Sequence, residues 1–373
     1  MLSLRHGSQA GPIESPPQAA ALDQQPVRLQ DQVKGTFLQA TEKVNQLVGE
    51  EGRIDVHLKE VSSSVFQKHT KAEGDLLFIS GTQTTTPNER EISTTWPKPW
   101  LFSRVFIWCA VTFIFLYICA VTFENINAIP GLIMVGSFAV PFSLLILFWE
   151  MNAPRNISIY EVAKMFFVGG AASLVTTMFL YSIFPVYQLG FSDAVIVGVV
   201  EEVGKLAIII YFIKTNNPKY ILNGLLIGAT IGAGFAAFES AGYAYRFGLM
   251  YGEDAMMSVI FLRGWMAIGI HVVWSAIAGA ALVSVKGIPP LASDHLLDAK
   301  FLKLFAVSII LHAVWDMPLY MWHHASSRRH RCKDQAQLLW WLKSCLINIR
   351  LVLVADRRAP CAFLLKRGCL NSP

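Results

Sequence analysis

FSDAVIVGVVEEVGKLAIIIYFI, residues 191–213, is an apolar run that carries Glu201, Glu202 and Lys205 near its middle. A helix rises about 1.5 Å per residue, so roughly 20 apolar residues span the hydrocarbon core of a bilayer. Charged side chains at that depth are costly and are usually offset by a partner, a water-filled cavity or a function. Lys205 lies four residues after Glu201 and three after Glu202, so one helix face can bring it to both. A structural salt bridge accounts for one Glu–Lys pair. The second, adjacent carboxylate leaves negative charge that packing does not explain.

Six further runs share the apolar character: 101–122, 131–149, 160–183, 220–245, 264–285 and 301–323. In lipid only helices and closed barrels satisfy every backbone group, so each run reads as a helix. The expected fold is an all-α, polytopic transmembrane helical bundle of seven spans. The overall 54% hydrophobic and 15% charged content conceals a sharp division. Residues 1–100 form a polar N-terminal region, 101–323 the membrane core, and 326–373 an atypical tail. Leu29, Val33, Phe37, Ala40, Val44 and Leu47 recur at helical spacing and predict an amphipathic helix, whereas Thr82–Pro99 reads as a Thr/Pro-rich linker. Met1–Gln30 lacks the apolar core of a signal peptide, so the first membrane helix is the expected export signal. In the tail, 338–354 is interrupted by Lys343 and Arg350 and reads as an eighth span or an interfacial helix. The tail differs in character from everything upstream, as a frameshifted end would. None of the six cysteines forms a CxxC pair, which argues against a cysteine zinc site or a redox motif. The +5 net charge is too modest to point to a nucleic-acid partner.

Basic residues set orientation. Arg90, Lys98 and Arg104 precede the first run, and Arg155, Lys164, Lys214, Lys219, Lys286, Lys300 and Lys303 flank every second connection after it. This puts the N-terminal region in the cytoplasm. Arg246 and Arg263, in the fifth connection, are an exception to the pattern.

The later runs add further polar residues. Gly224, Gly228 and Gly232 repeat every four residues, which lets a neighbouring helix approach closely, and Glu239 follows seven after Gly232 on roughly the same face. The sixth run carries His271 and Trp274; the seventh carries His312, Trp315 and Asp316. A lone buried histidine is more often a satisfied core residue than a ligand, but here two accompany three buried glutamates. Asp316 is one turn beyond His312, where a carboxylate can fix the imidazole tautomer. Trp274 and Trp315 read as packing residues. Counted from the non-cytoplasmic ends, Glu201, Glu202, Glu239, His271 and His312 all fall about five to eleven residues in, one zone in the outer half of the bilayer. A single shared site is the expectation.

The Glu-Glu-x-x-Lys of Glu201–Lys205, the Phe-x-x-x-Glu of Phe235–Glu239 and the two later histidines resemble the PrsW family of intramembrane proteases, itself related to the CAAX-processing and bacteriocin-processing (CPBP) group. The resemblance covers about residues 95–323, including Asn152-Ala-Pro-Arg-Asn-Ile-Ser158, and none is found after Ala325. In the CAAX-processing relatives the second motif ends in His; here it ends in Glu239, as in PrsW members. The resemblance implies cleavage of membrane-anchored proteins, anti-sigma factors being one class, in a bacterial plasma membrane. Glu201 or Glu202 would activate water, Glu239, His271 and His312 would complete the site, Lys205 would tune charge, and Asp316 would orient His312. Zinc held by Glu202, Glu239, His271 and His312 is one route to water activation; a glutamate base with an oxyanion-stabilising histidine is the other. Chains of Glu and His also relay protons, so a proton-coupled transporter or channel is the alternative activity, and an inactive membrane scaffold a third.

Overall fold

Caps and breakers divide the apolar sequence into helices, and the computed structural model describes them over residues 62–93, 95–186, 190–266 and 270–317. The amphipathic pattern at Leu29–Leu47, the end of the seventh run and the whole tail lie outside these residues. Every regular element among the described residues is helical: α1 Lys71–Phe78, α2 Leu101–Val121, α3 Ile129–Met151, α4 Ile159–Ile183, α5 Phe191–Asn216, α6 Ile221–Tyr251, α7 Glu253–Met266, α8 His271–Lys286 and α9 Ala299–Asp316, with single helical turns at Glu89–Glu91, Ile126–Ala128 and Ser293–Leu296. The boundaries follow local chemistry. Ser158 accepts from Glu161 N at the start of α4, and Asp298 accepts from Lys300 N and Phe301 N at the start of α9. Asn217 in the left-handed conformation, followed by Pro218, ends α5. Gly252, at φ 89°, separates α6 from α7.

α2, α3, α4 and α6 are long and apolar enough to cross a membrane. α5 has the length but carries Asp193, Glu201, Glu202, Lys205 and Lys214 along it. Contacts between them show that α2 and α3, α4 and α5, and α6 and α8 run antiparallel. α6 is the centre: it packs against α3, α4, α5, α7 and α8, and every residue from Ile221 to Ala237 is buried. α2 is the opposite case, burying only Leu101, Val105 and Ala120 and exposing Trp108, Ile114 and Phe115 as a lipid-facing helix does.

The structure revises the sixth run. The sequence pattern places one helix over 264–285, but Glu253–Met266 forms a helix of its own against α6, and α8 begins at His271. Arg263 is therefore a helical residue and not a loop charge.

The glycine row behaves as its spacing predicts. A Cβ at Gly224, Gly228 or Gly232 would overlap the backbone oxygen of Gly279, Ser275 or His271 respectively, so α6 and α8 touch backbone to backbone over two turns. Two buried polar knots fix the opposite end. Glu150 accepts from the backbone N–H groups of Trp100, Leu101 and Phe102 at 2.9 Å each and so caps α2 from α3. Asn223, at the start of α6, donates to Asn152 at 2.9 Å and to Asn156 at 2.7 Å. Part of the N-terminal region packs here too: His69 stacks on Trp100 at 4.0 Å, and Trp96, within the stretch read as a linker, lies against Ala153, Ile221 and Leu222.

A candidate metal and catalytic site

The site is built where α5, α6, α8 and α9 converge, with α4 and α7 at its edges. α5 supplies Glu201, Glu202 and Lys205, all buried. α6 supplies Glu239 and α9 supplies His312 and Asp316. His271 is the first residue of α8, held against Gly232 by the glycine row. The structure thus brings together all seven residues singled out from the sequence.

Two arms of similar composition meet at Glu201. In one, Lys205 Nζ donates to Glu202 Oε1 at 2.6 Å, and the same oxygen lies 2.8 Å from His312 Nδ1. In the other, Arg263 pairs with Glu239, whose Oε2 lies 3.1 Å from His271 Nε2. Each arm runs cation, carboxylate, imidazole. Such carboxylate–histidine pairs fix ring orientation and tautomer. Lys205 bridges the arms, with Nζ 2.9 Å from His271 Nδ1. An ammonium can only donate, so His271 Nδ1 is the acceptor and Nε2–H faces Glu239.

Glu201 sits between the arms. Its Oε2 is 3.5 Å from His312 Nε2 and 3.9 Å from His271 Nδ1, and this buried oxygen has no hydrogen-bond partner. Glu201, His271 and His312 each offer a donor atom within 4.8 Å of the others. A buried carboxylate oxygen without a donor, facing two imidazole nitrogens, fits a cation. Counted with the four carboxylates (Glu201, Glu202, Glu239, Asp316) ionised and both imidazoles neutral, the two cations (Lys205, Arg263) leave two negative charges unmatched. A divalent ion balances that surplus.

The group whose atoms come close enough to share a metal is Glu201, His271 and His312, whereas the sequence expectation placed Glu202 and Glu239 with the histidines. Both carboxylates are engaged by a cation and an imidazole, and Glu201 is the one facing the two rings. Asp316 Oδ2 is 3.3 Å from His312 Nε2, on the more open side of the site. Trp274, expected to pack, does so against His312 itself, with ring centroids 4.6 Å apart.

Sequence reasoning missed two residues. Arg263 was counted among loop charges; it also donates to Ser240 at 3.0 Å and lies 4.5 Å over the Tyr243 ring. Its breach of the charge pattern was the available signal. Tyr181, on α4, donates to Glu201 Oε1 at 3.0 Å, and nothing in its apolar run marked it.

Residues 158–340 match the family model described as PrsW family intramembrane metalloprotease. The match contains every site residue above and continues past Ala325, where the sequence resemblance had ended. No curated protein and no solved structure matches the chain.

Proposed function

We propose that the chain is a metal-dependent intramembrane endopeptidase acting on membrane-anchored proteins. The observation that carries this reading is the buried Glu201–His271–His312 group, with its unpaired carboxylate oxygen. The family similarity over 158–340 supports the same chemistry. Glu201, His271 and His312 would hold the ion, zinc being the expected one, with His271 Nδ1 exchanging its hydrogen bond from Lys205 for the metal. When bound, it supplies Lewis acidity toward a peptide carbonyl and lowers the pKa of water.

The chain's own residues do the rest. Glu202 holds His312 through Nδ1, and Glu239 holds His271 through Nε2. Lys205 and Arg263 offset the charge of those two carboxylates, so neither is free to act as a base. Glu201 and Asp316 are the site carboxylates without a Lys or Arg partner among the described residues. With Glu201 committed as a ligand, Asp316, 24% exposed, is the group left to take the proton from the attacking water. Burial in apolar helices keeps bulk water from the site and strengthens its electrostatics.

Under this reading α2 to α6, α8 and α9 provide seven spans, the N-terminal region is cytoplasmic, and the site lies in the outer half of a bacterial plasma membrane. Kinship with the CAAX-processing group and anti-sigma factors as substrates rest on the motif resemblance. The test uses purified protein with a quenched peptide bearing a transmembrane segment. Cleavage is expected, and Glu201→Ala, His312→Ala or a chelator should abolish it, with zinc restoring the chelated enzyme. Cleavage that survives both substitutions and chelation would falsify the site.

A further inference from the structure

Glu201 is held differently from its neighbours. Glu202 and Glu239 are each gripped by a cation, which offsets their charge. Among the described residues the single hydrogen bond to Glu201 comes from a phenol, Tyr181 Oη to Oε1 at 3.0 Å, while Oε2 is left without a donor. We propose that Tyr181 is a positioning residue for Glu201: its hydroxyl fixes one carboxylate oxygen so that the other is presented to His271 and His312. A neutral donor suits this task, because it sets orientation without cancelling the charge a metal ion needs. The proposal rests on the metal-site reading above.

The fold explains how a residue outside the motif-bearing helices arrives there. α4 contains a π turn at Met165–Gly169, which adds one residue and rotates everything after it by about 100°. Beyond it Gly170, Ser173, Thr177 and Tyr181 share a face at spacings of three and four. Gly170 meets Gly234 of α6, and Thr177 meets Gly204 of α5, where a Cβ would overlap its hydroxyl. α4 and α5 are antiparallel, so four residues on from Thr177 and three back from Gly204 bring Tyr181 to Glu201. Two close helix contacts thus set the register of one hydrogen bond.

The test is Tyr181→Phe in the full chain, which keeps the ring and removes only the donor. Zinc affinity, measured by competition with a chromophoric chelator, should fall about ten- to a hundredfold, as for other residues that orient ligands. The visible bands of the cobalt-loaded protein should shift, while the melting temperature of the metal-free protein stays the same. In a Glu201→Ala background the same substitution should change zinc affinity no further. Wild-type affinity and an unshifted cobalt spectrum in Tyr181→Phe overturn the proposal. So does a lowered melting temperature without loss of affinity, or an equal loss of affinity in the Glu201→Ala background. Wild-type protein that binds neither ion overturns the metal-site reading as well, which separates the two failures.

Discussion

Lys205 serves two acceptors at once, Glu202 Oε1 and His271 Nδ1, from a fully buried position 4.7 Å over the Phe235 ring. Removing one partner of a buried pair leaves the other uncompensated, at a cost of about 3–5 kcal/mol. Lys205→Met should therefore lower the stability of the metal-free protein by that order, read by thermal unfolding in detergent. Lys205→Arg should not rescue it, because a planar guanidinium cannot replace a point donor lodged between these two atoms. Asp316→Asn tests a different role. It keeps the size of the side chain but removes the proton acceptor, so kcat should fall about 10²- to 10⁴-fold with zinc content unchanged. If zinc is lost instead, Asp316 is a ligand and the assignment of base fails.

At the scale of helices, the contact between α6 and α8 decides whether His271 and Glu239 meet. Gly228→Ala would drive a methyl group into the Ser275 carbonyl and should cost about 1–3 kcal/mol, with zinc affinity falling as His271 moves. An unchanged melting temperature and affinity would show that the two helices can separate freely. Glu150→Gln at the other end keeps the shape of the cap but removes its charge; a loss of about 1–3 kcal/mol in a thermal melt is expected, without effect on zinc. The glycine row was legible in the sequence because close approach demands small residues at fixed spacing. The seven site residues were legible because lipid makes each of them conspicuous. Which of Glu201 and Glu202 faces both histidines was not, since adjacent positions on one helix differ by about 100° and only the neighbouring helices say what each faces. α7 was missed for a related reason: Gly252 ends α6 abruptly, and Glu253 and Asp254 look like a loop when they open the next helix. Glu150 reads as one more polar helix end until residues 100–102 are brought to it.

For the molecule as a whole, most basic residues gather at the end where α2 begins and α3 terminates, while Arg246 lies at the far end and Arg263 there belongs to the site. With that residue set aside, the proposed orientation predicts that a cysteine at Glu124 in a cysteine-free background is labelled by a membrane-impermeant maleimide from outside intact cells, and one at Arg155 is not. The reverse pattern would invert the site relative to the membrane. The sharing of charges along the chain also bears on synthesis. Glu202 meets Lys205 three residues later on the same helix, so α5 brings that counterion with it as it leaves the ribosome. Glu239 must wait for Arg263, twenty-four residues further on, and Glu202 waits longer still for His312. α5 can therefore enter the bilayer as a partly neutralised segment, whereas α6 needs α7 to follow before its carboxylate is matched. The maturing protein should pass through a stage in which the glutamates are inserted but the imidazoles are not yet present, and the site can close only after α9 has been made.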